Sequence, residues 1–225
     1  MNKTNAEYSI KSKAKVNLFL QILNKRNDGY HNINSLFSEL DFGDTLHFIP
    51  SENYSLTVKG LIVPIDETNL ISKAYHLIKN EVKKQVITYK IKLYKLIPIG
   101  SGLGGGSSNA ATTMIALNHL WKLKMSKNKL ESIGKELGAD VPFFVKGGTQ
   151  QAEGIGNVLT NHSDSLVDER IFLLAIPPIN ISTEWAYSNL NNYLQLDANR
   201  SRFAIPLKPI KWQLFKNDFE GLVIS

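Results

Sequence analysis

The sequence predicts an α/β (α+β) fold, and three observations along the 225-residue chain support that class. Apolar and polar residues alternate in the first third, as is typical of β-strands. After Glu67, apolar residues recur at helical spacing instead. A glycine-rich stretch, Gly100 to Gly106, then separates a predicted strand from a predicted helix. Strand, glycine loop and helix in that order indicate a mixed fold with an anion-binding turn.

The predicted strands begin near the N-terminus. Polar and apolar residues alternate from Lys11 to Ile22, and the turn Asn27-Asp28-Gly29 ends the pattern. We expect three short strands after this turn, separated by Gly43-Asp44 and by Pro50-Ser51. Their predicted ranges are 36–40, 45–49 and 54–58.

Helices and strands then alternate. Thr68 caps a predicted helix that continues to about Lys83, and Ser126 caps another that continues to Leu137. Between them, the sequence predicts a strand over 87–95 and a buried helix over 109–123. The remaining predictions are a buried strand over 171–176, a helix over 182–190 and a loop over 199–206.

Composition excludes several classes of protein. Hydrophobic residues make up 43% and charged residues 20%, as in ordinary globular proteins. The absence of cysteine excludes disulfides, thiolate metal sites and cysteine nucleophiles. The sequence contains neither an apolar stretch of roughly 20 residues nor a cleavable signal pattern, so we expect a cytoplasmic protein with no membrane partner.

The charge pattern weakens the case for a nucleic-acid partner and is compatible with small anionic substrates. Lys and Arg total 26 against 20 Asp and Glu, which gives a net charge of +6. Only four of the basic residues are arginines, and the 22 lysines are spread along the chain. A dispersed lysine surface is typical of a solvated exterior, so we expect no nucleic-acid partner. We expect a monomer or a weak homodimer.

The stretch from Pro98 to Asn109 is the strongest local signal, because glycines let backbone N–H groups converge on phosphate at a helix N-terminus. Ser107 and Ser108 can cap the helix, bind phosphate oxygens or meet Mg²⁺. A dinucleotide fingerprint lacks its acidic partner here, a Walker loop would need lysine at Gly106, and protein-kinase signatures are missing. The alternative is a glycine turn that serves only close packing.

Pro98 to Ala111 resembles the central motif of the GHMP kinases, a family of small-molecule kinases. Four further blocks match the family and extend the resemblance over nearly all the chain. They are residues 14–20 with 26–31 and 36–37, residues 41–44, residues 138–144 and residues 151–156.

The resemblance implies the GHMP kinase fold with two domains. Residues 1–150 correspond to a ribosomal-protein-S5-domain-2-like N-terminal domain that carries the phosphate loop. Residues 151–225 correspond to the start of a C-terminal domain. Because family members usually continue past the region of Glu220 to a second glycine-rich motif, we expect this C-terminal domain to be incomplete.

Two residues are candidates for catalysis. Asp140 follows a predicted helix end, and Val141-Pro142 predicts an extended exit behind it. From the residues alone, an aspartate in an ordinary turn is the simpler interpretation. The resemblance reverses this and implies that Asp140 accepts the proton of the substrate hydroxyl, with Lys15 beside it. On that strand we expect Lys11 and Lys13 to be solvated.

The resemblance also implies a small-molecule substrate with a cytidine diphosphate moiety. Tyr30 would stack on the base, His31 would bond its polar edge and Asn17 would orient the reacting hydroxyl. Tyr187 corresponds to a second stacking aromatic, with Trp185 as a near competitor, and Thr183 would contact the same ligand.

ATP is the implied phosphoryl donor, with Mg²⁺ bound to its phosphates and no metal site of the protein's own. The implied ATP-binding residues are Asn69, Leu70, Lys95, Pro98, Gly102, Leu103, Gly104, Gly105, Gly106, Ser107 and Ser108. Three alternatives stay open: a GHMP kinase for another small alcohol, a truncated nucleotide-binding protein with impaired catalysis, and a non-catalytic module that binds anions or nucleic acid.

Overall fold

A computed structural model describes residues 7–162, 171–177, 181–190, 201–205 and 211–224. The strands are β1 (Tyr8–Lys25), β2 (His31–Ser51), β3 (Ser55–Gly60), β4 (Thr88–Lys95), β5 (Thr149–Gly154) and β6 (Val158–Asn161). The helices are α1 (Leu70–Asn80), α2 (Gly105–Leu120), α3 (Lys127–Gly134), α4 (Val141–Lys146), α5 (Thr183–Asn189), a 3₁₀ turn (Trp212–Leu214) and α6 (Glu220–Ile224).

The chain divides into two compact units, each assembled from separate parts of the sequence. Unit 1 comprises residues 1–14, 40–99 and 103–146. Unit 2 comprises residues 15–39, 100–102 and 147–225. Both β1 and β2 run from one unit into the other, so each long strand contributes one half to each unit.

Unit 1 combines a sheet with four helices. The second half of β2 pairs antiparallel with β4, from Thr45 opposite Tyr94 to Ser51 opposite Thr88, and β3 pairs parallel with β4. Helix α2 packs against α1, α3 and α4. The largest fully buried side chains of this unit are Leu46, Phe48, Ile71, Ile78, Ile91, Leu93, Ile97, Met114 and Phe143.

Unit 2 is built on the other halves of the long strands. The first half of β2 pairs antiparallel with β5, from Ile33 opposite Gly154 to Ser38 opposite Thr149, and β6 pairs with β5. The buried ring of Phe19 meets those of Phe203 and Phe215 edge-on, at centroid distances of 4.9 and 6.0 Å. Backbone hydrogen bonds at Leu20 also tie residues 216–218 to β1.

Several predicted elements are confirmed. The mixed fold class is observed, and β1, β3 and β4 lie where alternation predicts strands. Ser126 caps α3 by accepting a hydrogen bond from the Lys129 backbone N–H at 3.2 Å. The predicted helix over 182–190 corresponds to α5, which Ser182 caps.

Other predicted boundaries are wrong for identifiable reasons. Strands 36–40 and 45–49 form one continuous strand, because Gly43 lies in β2 where β1 passes too close for a side chain. Asn69, not Thr68, caps α1, which ends at Asn80. Helix α2 begins four residues before the predicted Asn109, inside the glycine loop.

The prediction of a buried strand over 171–176 is also wrong. Residues 171–177 have no regular secondary structure, and Ile171 and Leu173 are almost fully exposed. Apolarity alone identified this segment, and apolarity does not guarantee burial. Of the 199–206 loop, residues 201–205 lie in the described part and are irregular as predicted. None of the helices in the described ranges has the length and apolarity needed to cross a membrane.

Ser126→Ala should lower the free energy of unfolding by about 1 kcal/mol, because the Lys129 N–H loses its side-chain acceptor. Ser126→Asp should retain most of the stability, since aspartate accepts the same bond. Urea denaturation of the two variants beside the wild type measures the difference. Equal losses in both variants would contradict a capping role.

Candidate functional site

The glycine loop ends where α2 begins. Gly100, Gly102 and Gly104 have φ values of +67°, +72° and +71°, a region that side-chain-bearing residues rarely adopt. Gly104 is the N-cap of α2, and no side chain caps this helix. Since the first N–H groups of any helix lack partners within it, this terminus presents backbone donors of the kind that bind anions.

The two serines after the loop differ in their environment. Ser108 is buried, and its hydroxyl lies 2.8 Å from that of Ser12 and donates to the Lys13 carbonyl oxygen at 2.6 Å. Neither Ser107 nor Ser108 caps the helix, one of the three roles left open by the sequence, because both lie inside α2. Ser107 is half-buried, and its hydroxyl is 3.9 Å from where a Cβ on Gly138 would stand.

Asp140 is half-buried and directly precedes α4, so the segment carrying it adjoins Ser107 within unit 1. The predicted extended exit is wrong, because Val141 starts a helix and Pro142 occupies its first turn. Proline fits a first turn without loss, since the N–H that it lacks would have no helical partner there. Asp140 therefore stands at a turn between two helices.

Lys95 lies beneath the loop, in a buried ion pair. Its ammonium is 2.6 Å from Oδ2 of Asp44. The Lys95 side chain is 4% exposed and the Asp44 side chain is fully buried. Burial lowers the pKa of Lys95 from its ordinary value, while the hydrogen bond and charge of Asp44 act in the opposite direction. The ammonium and an Ile97 methyl each lie 2.9 Å from where a Cβ on Gly105 would stand, so a side chain there would force these groups to shift.

Asn69 and Leu70 lie at the start of α1, beside the loop. The Asn69 amide accepts from the Ile71 N–H at 2.8 Å and donates to the Pro64 carbonyl oxygen at 2.6 Å. A Leu70 methyl lies 3.4 Å from where a Cβ on Gly106 would stand. The segments around this point expose apolar side chains that sequence reasoning missed: Leu61, Ile62, Ile65, Leu96 and Ile99.

In unit 2, Lys15 is buried, unlike Lys11, which lies four residues earlier on the same strand. Its ammonium donates to Oδ1 of Asn17 at 2.5 Å and lies 4.7 Å from the centroid of the Phe37 ring. Asn17 in turn donates to the Ser35 hydroxyl at 3.2 Å. By contrast, Lys11 is exposed and bonds Asp41, as expected for a solvated lysine. Lys15 and Asn17 are thus brought together as a hydrogen-bonded pair beside the Phe37 ring.

The turn between β1 and β2 presents Tyr30. The Arg26 guanidinium bonds both carboxylate oxygens of Asp28, with a shortest distance of 2.7 Å. Asp28 also accepts from the Tyr30 N–H at 3.2 Å, and Gly29 supplies a φ of +86°. Arg26 holds the pKa of Asp28 below its ordinary value, so this carboxylate stays charged. The Tyr30 side chain is 62% exposed.

His31 and Tyr187 form a stacked pair within unit 2. Their ring centroids are 5.3 Å apart and their planes 20° apart. His31 is only 7% exposed, yet its Nε2 has no hydrogen-bond partner among the described residues. Burial, with a smaller contribution from the Lys25 charge, lowers the pKa of His31 from its ordinary value. A buried ring nitrogen without a partner is costly, which is typical of a group that a ligand completes.

Of the two aromatic candidates on α5, Tyr187 lies with His31, whereas Trp185 is 47% exposed. Thr183 begins α5, and its side chain lies outside the described part of the chain. Within the described residues, no group of three or more histidine, aspartate and glutamate side chains is placed to hold a metal ion.

This chain is similar in sequence to several known proteins. Residues 69–148 match the family model described as the GHMP kinases N terminal domain. The chain is 39% identical to the 4-diphosphocytidyl-2-C-methyl-D-erythritol kinase of Hahella chejuensis, covering 97% of this chain and 75% of the relative. It is 41% identical to the enzyme of that name from Acinetobacter baylyi, covering 96% and 75%.

A solved structure agrees with these relatives. The crystal structure of a 4-(cytidine 5'-diphospho)-2C-methyl-D-erythritol kinase superposes with a TM-score of 0.64 at 32% identity. The match covers 81% of this chain and 64% of the solved one, so the chain spans somewhat less than two thirds of that protein.

Stability should depend on the protonation of His31 below pH 6.5. Above that pH the ring is neutral in both folded and unfolded states, so it adds no pH dependence. As pH falls, the unfolded chain binds the proton first, and the contribution of His31 to stability is lost. Denaturation at pH 7.5 and 5.5 should therefore show a smaller decrease for His31→Gln than for wild type. Equal decreases would contradict a lowered pKa.

Proposed function

Because the chain belongs to the 4-diphosphocytidyl-2-C-methyl-D-erythritol kinases, a branch of the GHMP kinase family, we propose that it transfers the γ-phosphoryl group of ATP to the 2-hydroxyl of 4-diphosphocytidyl-2-C-methyl-D-erythritol. This step belongs to the non-mevalonate route to isoprenoid precursors. We also propose that the protein works in the cytoplasm as a monomer or weak homodimer. Its two domains are proposed to meet near residue 150 of the sequence.

The observation that carries the proposal is the uncapped N-terminus of α2 behind a loop of left-handed glycines. Phosphoryl transfer relies on positioning and charge stabilisation more than on covalent chemistry by the protein. Backbone N–H groups at a helix N-terminus supply both without a side chain. We propose that residues 102–108 hold the ATP phosphates in this way.

For the adenine base we propose the exposed apolar side chains next to the loop. Leu61 and Leu96 lie on neighbouring segments, since the Leu61 N–H donates to the Lys95 carbonyl oxygen at 3.1 Å. Leu70 lies against Gly106, at the boundary between this surface and the loop. A planar heterocycle can cover such apolar groups while its phosphates reach the helix terminus. We propose that Lys95 supports the loop from beneath, because its ammonium lies close to Gly105.

Mg²⁺ would enter with ATP and neutralise charge on the phosphates. Of the two serines considered from the sequence, Ser108 already uses its hydroxyl with Ser12 and the Lys13 carbonyl oxygen. We therefore propose Ser107 as the serine that faces the metal-bound phosphates.

We propose Asp140 as the base that accepts the proton of the attacking hydroxyl. The segment that carries Asp140 adjoins Ser107. A base must lie near the transferred phosphoryl group, and Ser107 is proposed to face the phosphates. For Lys15 we propose the role of a cation that stabilises the charge developing on the attacking oxygen. The Lys15–Asn17 bond supports this role, because it fixes the ammonium and orients an amide that can bond a hydroxyl.

For the cytidine we propose the aromatic residues of unit 2. Tyr30 offers an exposed ring on a rigid turn, and the unsatisfied Nε2 of His31 offers a polar group for the base edge. Tyr187 is preferred over Trp185 as the second aromatic, because it already stacks beside His31. Thr183 is proposed as a further contact on the same helix.

A coupled assay of ADP release tests the proposal. The purified chain, ATP and Mg²⁺ should release ADP with 4-diphosphocytidyl-2-C-methyl-D-erythritol but not with 2-C-methyl-D-erythritol 4-phosphate, which lacks the cytidylyl group. Turnover of homoserine, mevalonate or galactose instead would favour a GHMP kinase for another alcohol. ATP binding without turnover of any alcohol would favour a catalytically impaired nucleotide-binding protein.

Asp140→Asn should lower kcat by about a hundredfold or more, because the amide keeps the shape of the side chain but accepts no proton. Substrate KM should change little. Steady-state kinetics beside Glu136→Gln, which changes an exposed carboxylate of the same unit, separates this loss from a general charge effect. Near wild-type turnover in Asp140→Asn would show that another group is the base.

Tyr30→Ala should weaken binding of the cytidylyl substrate by about 1–3 kcal/mol, the usual value for one stacked base. ATP affinity should be unchanged, because Tyr30 is proposed to contact the cytidine alone and its exposed ring packs into no core. Calorimetric titration with each ligand measures both effects. A parallel loss for the two ligands would indicate a folding defect and remove Tyr30 from the site.

A further inference from the structure

The motif Asp41-Phe42-Gly43-Asp44 has two aspartates with opposite environments. The Asp41 side chain is 90% exposed and bonds Lys11 at the surface. Asp44 is fully buried on β2. The proposed function uses neither residue, so the burial of Asp44 needs an explanation.

Four donors surround the Asp44 carboxylate. Oδ1 accepts from the backbone N–H groups of Leu96 and Ile97 at 2.7 and 2.8 Å. Oδ2 accepts from the Lys95 ammonium at 2.6 Å and from the Asn109 side-chain amide at 2.9 Å. A carboxylate offers about four acceptor positions, so this one is fully satisfied.

These donors come from the two ends of the phosphate loop. Residues 95–97 lead into the loop from β4, and Asn109 lies in the first turns of α2, directly after the loop. Oδ1 therefore bonds only the entry, whereas Oδ2 bonds Lys95 at the entry and Asn109 at the exit. Both ends belong to unit 1, as does Asp44 itself.

A second chain of bonds extends from the exit. Asn109 also donates to the Ser12 hydroxyl at 2.9 Å, and Ser12 lies 2.8 Å from the Ser108 hydroxyl. Ser12, Ser108 and Asn109 are all buried. The start of α2 is thus fixed to β1 and β2 through side chains rather than by a helix cap.

We propose that Asp44 is a positioning residue for the phosphate loop, one that sets the direction of its backbone N–H groups without touching ATP. This inference rests on the proposed function. Backbone donors hold phosphate well only when they converge before the ligand arrives, since reorganisation on binding lowers affinity. A loop rich in glycine is otherwise free to sample many conformations. One carboxylate that holds both ends limits that freedom.

Asp44→Asn is the direct test, because it replaces two acceptor positions by an NH₂ group that faces existing donors. Binding of ATP, ADP and adenosine is measured by calorimetry with the wild type, Asp44→Asn and Asp41→Asn. Asp44→Asn should weaken ATP and ADP by about tenfold or more, and adenosine by less than about twofold. In kinetics, KM for ATP should rise while KM for the cytidylyl substrate stays within about twofold. Asp41→Asn should match the wild type throughout.

Ser12→Ala is the second variant, because it removes a link to Asn109 and Ser108 without leaving a buried lysine unpaired. It should weaken ATP by about threefold and leave adenosine unchanged. If Asp44→Asn does not fold, the affinities of Ser12→Ala for ATP and adenosine test the positioning role on their own.

The outcomes separate the two proposals. Wild-type affinity for ATP in Ser12→Ala and in any folded Asp44→Asn would overturn the positioning role while the proposed function stands. Equal weakening of adenosine and ATP would overturn it as well, since that pattern indicates general loosening. A wild-type chain that binds no ATP would overturn both proposals.

Discussion

A carboxylate removed from water must be surrounded by hydrogen-bond donors, and much of unit 1 is arranged around the one that Asp44 carries. Its four donors belong to β4, to the segment that follows β4 and to α2. Asp44 directly precedes the residues of β2 that pair with β4, Asn109 bonds it from the first turns of α2, and Gly105 leaves room for the Lys95 ammonium that Asp44 holds. The loop above it needs no side chain of its own to be well placed.

The sequence predicts what depends on near neighbours. Alternation predicts β1 and β4, and a serine before a helical pattern predicts the cap at Ser126. The loop is predicted to bind phosphate because its glycines and the following helix lie within a few residues of one another. The resemblance then indicated Tyr187 and His31, which the structure brings together as a stacked pair.

Features that depend on distant partners were not predictable from one sequence. Asp44 and Asn109 are 65 residues apart, and nothing local shows that they bond. Lys15 resembles Lys11 in the pattern, yet only Lys15 is buried, because Asn17 and Phe37 receive its ammonium. The exit after Asp140 was misjudged because proline suits both an extended segment and the first turn of a helix. A signal was nevertheless present at Asp44, an acidic residue in a strand whose alternate positions are apolar.

The unbroken course of β2 restricts how this chain can change in length. Residues 33–38 pair with β5, and residues 45–51 pair with β4. Successive side chains of a strand point to opposite faces, so inserting or deleting one residue between these ladders would reverse one half relative to the other. Either Ser35 and Phe37 would turn away from Asn17 and Lys15, or Asp44 would turn away from its donors. Changes of two residues keep both orientations, so length variation in this stretch should occur in even steps.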